Sequence, residues 1–225
     1  MATMAPDRVD PRHTTATDIT RVSPALVAEA SALSAATLHE AAGRSGVMPT
    51  GIKPLRDDWT LCGPVYTVQS PGGDNLWLHR AIYAANPGDI LVVHTSGVHD
   101  FGYWGEVMAT AAIARGLAGL VIDGGVRDVR LLREMPFPVF SRGITIRGTG
   151  KDFGARGWLG APTMFEGLVV NSGDLLFGDC DGVVVIPREC VRETIDASVA
   201  REQKEAAIME RLKQGETTLD LFGLN

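Results

Sequence analysis

The sequence predicts a mixed α/β fold, with α+β character, that is not a simple doubly wound sheet and that ends in a long helix. Three observations carry this. Residues 75 to 123 alternate helical and strand patterns in the order helix–strand–helix–strand. Residues 167 to 187, "GLVVNSGDLLFGDCDGVVVIP", form instead a run of short strands punctuated by Ser-Gly-Asp and Asp-Gly turns. Residues 188 to 214 then read as one continuous helix ended by Gly215. With 225 residues the chain can bury one sizeable core. It has no internal repeat and no linker, so we read a single domain over 23–225. It follows a flexible N-terminal arm, 1–22, rich in Pro, Thr and Asp.

The elements follow in order. Ser23-Pro24 supplies an N-cap and a proline at the first helical position. Leu26, Val27, Ala30 and Leu33 share that helix's face. Ser34 caps a second helix, "AATLHEAAG", which stops at Gly43. After the turn-rich "RSGVMPTGIKPLRDDW", the segment "CGPVYTVQS" alternates as a strand does, with its proline near the start. "NLWLHRAIYAA" is a helix that ends before Asn86-Pro87-Gly88, and "DILVVH" a buried strand. "TSGVHDFGYWG", 95–105, reads as a loop, "EVMATAAIARG" as a helix and "LAGLVID" as a strand. "VRLLREM" is a short helix broken by Pro136; "PVFSRG" and "TIRGTG" read as strands.

Composition excludes several functions. A net charge of −6 leaves no basic excess to neutralise phosphates, so nucleic acid is not an expected partner. No run of about 18 apolar residues suggests a membrane helix, and the first 20 residues lack a signal-peptide core. Cys62, Cys180 and Cys190 have no metal-ligand spacing and read as small buried hydrophobes. Their odd number, without a secretory signal, fits the cytoplasm. His94 and His99 are not spaced as ligands, and His39 and His79 read as packing or capping residues on helices. "GTGKDFG", 148–154, lacks the spacing of a phosphate-binding loop, and no Gly-x-Ser-x-Gly motif is present.

The chemistry concentrates in "VIDGGVRDVRLL", 121–132. The strand ends at Asp123, and Arg127 and Asp128 follow it, where α/β folds tend to bind ligands. Gly124 and Gly125 permit positive φ and close approach of a ligand. Arg127 offers a planar fork suited to a keto-acid, and Asp128 hard oxygens suited to Mg²⁺ or Mn²⁺. The alternative is an ordinary surface ion pair, which contributes little. Upstream, in "YWGEVM", Gly105 sits where a helix begins, and the free N–H groups of that first turn form an anion site. Glu106 there also suits the helix dipole without any further role.

"ATLHEAAGRSG", "GDNLWLHRAIYAANPGDILVV", "GEVMATAAIARGLAGLVIDGGVRDVRLLREMPFPVFSRG" and "GDCDGVVVIP" closely resemble the class II 4-hydroxy-4-methyl-2-oxoglutarate (4-carboxy-4-hydroxy-2-oxoadipate) aldolases. Non-catalytic regulators of ribonuclease activity share that family's fold. The resemblance runs from about residue 23 to 224. It implies a swivelling β/β/α domain assembled as homotrimers or homohexamers. It implies retro-aldol cleavage of a 4-hydroxy-4-substituted 2-oxo-dicarboxylate to pyruvate, with oxaloacetate decarboxylation as a side activity. By the same resemblance, the backbone of Gly105, Glu106, Val107 and Met108 holds the pyruvyl carboxylate. Arg127 binds the keto-acid oxygens, and Asp128 holds a divalent metal, Mg²⁺ or Mn²⁺, through a water-rich shell. Glu106 stands where the aldolases usually carry Asp, one methylene shorter. A glutamate of the C-terminal helix reaches a neighbouring subunit's site; Glu205 is the first match and Glu202 the second. The regulators lack the acid after the arginine, which this chain keeps as Asp128. A keto-acid lyase or decarboxylase of different substrate is the other alternative, and no motif assigns Asp123 a role.

Overall fold

The computed structural model describes residues 10–225. Helices α1 (Pro24–Ala30) and α2 (Ala35–Ala41) come first. Ser23 Oγ accepts the Leu26 N–H at 3.3 Å and Ser34 Oγ that of Thr37 at 3.2 Å, so both sequence-read caps form. Then follow β1 (Lys53–Pro54), β2 (Leu61–Gln69), α3 (Leu76–Ala84), β3 (Ile90–His94), β4 (Gly102–Trp104) and α4 (Glu106–Ala114). The middle of the chain holds β5 (Gly119–Val126), α5 (Val129–Glu134), β6 (Val139–Ile144) and β7 (Trp158–Leu159). The remainder is β8 (Thr163–Phe165), β9 (Leu168–Val170), β10 (Leu175–Gly178), β11 (Val183–Ile186), α6 (Val191–Lys213) and α7 (Thr218–Phe222).

One nine-stranded sheet runs β1-β6-β5-β3-β2-β10-β11, with β4 on β5 and β7 on β2. Its centre, β2, β3, β5 and β6, is parallel, as the helix–strand alternation requires. β10 and β11 add antiparallel to it, and β8–β9 form a separate hairpin. Alternation along β3 sorts the core. Leu91 and Val93 face Trp77 and Leu78 of α3 and Ala109 and Ala112 of α4. Ile90 and Val92 face the other way, onto Met48, Phe165, Leu176 and Val185. The sheet thus curls so that β10–β11 and the hairpin cover its second face. The outer side of β10–β11, with Phe177 and Val184, packs on α1, α2 and the start of α6. This is the mixed α/β fold with a nearly closed sheet and a long C-terminal helix.

Several local readings change. Of the expected N-terminal arm, 1–9 lie outside the described residues. Residues 10–22 bond to the body: Ala16 N–H to Leu159 O at 2.9 Å, Val22 N–H to Gly173 O at 2.8 Å, and Arg21 to the buried Asp89 at 2.7 and 2.8 Å. Within the segment read as a loop, Gly102–Trp104 pairs with the end of β5. "TIRGTG" contributes no strand after Ile144. Cys180 and Cys190 are exposed rather than buried, while burial pushes the Cys62 thiol up to about 12.

The largest change concerns Gly124-Gly125. β5 does not end at Asp123 but continues through both glycines to Val126. Neither glycine has positive φ. A Cβ on Gly124 would stand 2.8 Å from Thr95 Cγ2, and one on Gly125 2.8 Å from Phe101 O. They are small because neighbouring chain packs on them, not to admit a ligand.

Candidate active site

Arg127 and Asp128 leave β5 beside the start of α4. The Arg127 N–H bonds Trp104 O at 2.9 Å, which keeps the end of β5 alongside β4 and so next to Gly105. Asp128 is left-handed, φ 58° and ψ 32°, a conformation Asp tolerates better than most residues. That turn starts α5 while the carboxylate reaches back to α4, where the Glu106 N–H donates to Oδ2 at 3.2 Å. Arg127 Nε lies 3.9 Å from the same oxygen. The Asp128 Oδ1 has no protein partner among the described residues.

Gly105 makes this approach possible. Its backbone is extended, φ −157°, which any residue adopts, yet a Cβ there would collide with Asp128 Oδ2. Ala109 N–H to Gly105 O is the first bond of α4, and the N-cap glycine has no side chain to cap the helix. With Glu106 N–H given to Asp128, the N–H groups of Val107 and Met108 remain for an anion, favoured by the helix dipole.

These groups face a cavity of about 230 Å³ lined by Gly105, Val107, Met108, Arg127 and Asp128. The structure therefore brings together five of the seven residues singled out from sequence. Glu106 gives its N–H to Asp128, but its side chain is exposed and does not line the cavity. Glu205 lies on α6, paired with Arg201 at 2.8 Å, in a groove with Met209 and Phe222 that shares no residue with this cavity. Glu202 does not line the cavity either.

The cavity's other wall was not read from sequence. It consists of Asn75 and His79 from α3, Tyr103 from β4 and Lys151 from the segment after β6. His79 is held below its ordinary value of 6.5, chiefly by burial and then by the charge of Lys151, so its imidazole is neutral near pH 7. The tyrosine is a brace: its O–H donates to Val98 O and accepts from Gly73 N–H, both at 2.7 Å. The helix position of His79 beside an α3 N-cap asparagine was the available signal. Nothing in the local pattern around Lys151 pointed to this wall.

Other sequence candidates belong elsewhere. Asp123 is 3% exposed, contacts the Arg142 guanidinium and lies 3.7 Å from His99 Nδ1. His39 Nδ1 bonds Ser45 O at 2.9 Å, a local contact just beyond α2. His94 bonds Gln69 Oε1 at 3.0 Å and meets Phe165 edge-on. No group of three His, Cys, Asp or Glu residues suited to a metal occurs among the described residues. No helix among them is long and apolar enough to cross a membrane.

A Halalkalibacterium halodurans protein provisionally named 4-hydroxy-4-methyl-2-oxoglutarate aldolase is 39% identical over 137 residues, 61% of this chain. The chain covers 64% of that relative's length. A crystal structure of an uncharacterized Pseudomonas syringae pv. tomato protein superposes with a TM-score of 0.77 at 29% identity, over 89% of this chain and 93% of that one. Streptomyces coelicolor RraAS2, described as an unusual member of the RNase ES inhibitor RraA family, superposes with 0.75 at 27% identity, over 85% and 100%. The model of the RraA-like family, described as Aldolase/RraA, matches residues 24–185, most of the chain and the whole of the Gly105 and Arg127–Asp128 segments, and the chain belongs to that family.

Proposed function

We propose that the protein is a divalent-metal-dependent lyase of the cytoplasm. It cleaves a 4-hydroxy-4-substituted 2-oxo-dicarboxylate, such as 4-hydroxy-4-methyl-2-oxoglutarate, to pyruvate and a second oxo acid. The observation that carries this reading is Asp128. Its carboxylate is held over the N-terminus of α4 by the Glu106 N–H, beside Arg127, with the second oxygen unpaired among the described residues, and Asp128 lines a small cavity. The relative provisionally named as an aldolase supports the same chemistry.

The donor set fits a hard cation. One carboxylate with a free oxygen, in an open cavity without thiolates, suits Mg²⁺ or Mn²⁺ that keeps most of its water. It does not suit a closed zinc site. When bound, such an ion supplies Lewis acidity at the 2-oxo oxygen.

The chain's own groups do the rest. The N–H groups of Val107 and Met108 take the C1 carboxylate at the positive end of α4. Arg127 faces the 2-oxo end with fixed positive charge. The C4 hydroxyl then loses its proton, and the C4–O electron pair closes to a carbonyl. The C3–C4 bond breaks, its pair enters the pyruvate enolate, and a proton returns to C3. Negative charge grows next to Arg127 as this happens. A preorganised donor at such a position contributes about 3–4 kcal/mol in the transition state. Loss of carbon dioxide from oxaloacetate gives the same enolate, so decarboxylation is the expected side activity. Glu106 contributes through its N–H, which holds Asp128 in place, while its side chain stays exposed at the start of α4.

Because Glu205 and the cavity share no lining residue within one chain, we assign Glu205 to the site of a neighbouring copy in a homotrimer or homohexamer. There it assists transfer of the hydroxyl proton. Glu202, three residues earlier on the same helix, is the second choice. The likeness to the RNase ES inhibitor family supports a second reading, a non-catalytic binding protein. Pyruvate release from a panel of 4-hydroxy-2-oxo acids and oxaloacetate, with Mg²⁺, with Mn²⁺ and with excess chelator, separates the two. The lyase releases pyruvate only with metal. No pyruvate from any panel member with either metal returns the chain to the binding reading.

A further inference from the structure

Four arginines are part-buried among the described residues, and three of them hold a carboxylate. Arg21 pairs with Asp89 at 2.7 Å, Arg142 with Glu166 at 2.7 Å and with Asp123, and Arg201 with Glu205 at 2.8 Å. The fourth, Arg80 on α3, has no ion pair and no hydrogen bond among the described residues. Its guanidinium carbon lies 4.5 Å from the centroid of the Trp77 ring, one helical turn earlier. An aromatic face attracts a cation but supplies no acceptors for the N–H groups of the guanidinium edge. A part-buried charge without an acid is costly, and no acid of the described residues meets this one.

The space beside Arg80 is shaped. Arg80 lines a cavity of about 460 Å³ with Tyr83 of α3, Leu159 of β7, and Pro11, Arg12 and Thr17 of the N-terminal segment. Ala16 N–H bonds Leu159 O at 2.9 Å, so that segment forms one wall and α3 another. The cavity has twice the volume of the one at Arg127 and Asp128, about 230 Å³, and shares no residue with it. α3 serves both: His79 lines the smaller and Arg80, next in sequence, the larger. Arg12 adds no net charge, because Asp10 holds it at 2.6 Å. The larger cavity thus presents one uncompensated positive charge beside apolar surface from Pro11, Tyr83 and Leu159.

We propose that this cavity binds an organic monocarboxylate with an apolar body, its carboxylate paired with Arg80 and its body between Tyr83, Leu159 and the N-terminal segment. Charge and volume together make the choice. An inorganic anion meets the charge but leaves most of the 460 Å³ to water, and a neutral apolar molecule leaves Arg80 unpaired. Of the guanidinium nitrogens only Nη1 is fully enclosed, so the Nε–Nη2 edge is the one that meets the ligand. Such an edge takes a carboxylate through two parallel hydrogen bonds, a match of shape as well as charge. Because the walls come from two segments, the same ligand holds the N-terminal segment against α3. The site stands independently of the lyase reading.

Isothermal titration calorimetry of the full chain with 2-naphthoate tests this. Two controls run beside it: 2-naphthalenemethanol, the body without the charge, and inorganic phosphate, the charge without the body. The wild type should bind 2-naphthoate saturably, and either control at least about tenfold more weakly. Arg80→Gln should weaken 2-naphthoate by at least about tenfold. Arg80→Lys keeps the charge and loses the fork, so it should weaken binding by less, and it carries the test should the glutamine variant misfold. Bound 2-naphthoate should also slow tryptic cleavage after Arg12, followed by mass, at least about threefold in the wild type and not in Arg80→Gln. Phosphate or the alcohol binding as tightly as 2-naphthoate overturns the choice of ligand. No binding of 2-naphthoate, or equal binding by wild type and both variants, overturns the site. A changed oligomer mass in Arg80→Gln, with no binding by the wild type, gives Arg80 to a carboxylate of a second copy and overturns the proposal as well.

Discussion

Asp123 and Asp128 lie five residues apart in one run of chain, each beside an arginine, and their surroundings are opposite. Asp123 sits inside β5 at 3% exposure, held by Arg142, which also binds Glu166 at 2.7 Å. The Thr95 hydroxyl donates to its carbonyl at 2.6 Å. Asp128 keeps 40% of its side chain exposed, its arginine 49%, and the two are 3.9 Å apart. The buried pair ties β5 to β6 through Asp123 Oδ1. The open pair is fixed by a left-handed turn and a single backbone N–H, with one carboxylate oxygen unused. Burial marks structure here, and a preorganised carboxylate left open marks chemistry.

Exchanging each acid for its amide should break that contrast if it is wrong. Asp128→Asn keeps an acceptor for the Glu106 N–H but loses the charge. Pyruvate release should fall about 10³-fold, with unfolding free energy within about 1 kcal/mol of wild type. Asp123→Asn removes one of the two carboxylates that hold the part-buried Arg142 and should cost about 2 kcal/mol in denaturant unfolding. Turnover per folded molecule should stay within about threefold of wild type. Equal losses of turnover from the two changes would erase the distinction.

The glycines sharpen the same contrast with a smaller effect. Gly105→Ala places a methyl against Asp128 Oδ2, an atom on an exposed side chain that can swing away. Activity should drop about 10²-fold through misplacement of the carboxylate, with little change in stability. Gly125→Ala meets backbone, Phe101 O at 2.8 Å and His99 O at 3.1 Å, which cannot move cheaply. That change should instead cost about 2–3 kcal/mol of stability. Thermal unfolding and kcat/KM measured on both proteins check the pair.

Much of this was legible in sequence because the signals are local. Ser23-Pro24 and Ser34 start helices by chemistry contained within one turn. The helix–strand alternation from 75 to 123 carries its own periodicity. Arg127, Asp128 and Gly105 were legible from the strand end and the helix start, Val107 and Met108 came with the resemblance, and all five line one cavity. What was illegible depends on distant packing. Gly124-Gly125 looks like a turn, and only Thr95, Phe101 and Thr145 from other segments show why a strand needs glycines there. Gly102–Trp104 is too short to show alternation and becomes a strand because β5 is beside it. Lys151 reaches the cavity through hydrogen bonds to Gly73 and Asp74 that no local pattern announces.

The central claim is that Arg127 and Asp128, with a bound divalent ion, stabilise the enolate of pyruvate. Exchange of the pyruvate methyl protons in D₂O, followed by proton NMR, tests it without knowledge of the substituent at C4. The wild type with Mg²⁺ or Mn²⁺ should exchange the methyl protons of saturating pyruvate. Excess chelator, or Asp128→Asn, should reduce exchange to the rate of buffer alone. No exchange by the metal-loaded wild type, or undiminished exchange by Asp128→Asn, would contradict the account.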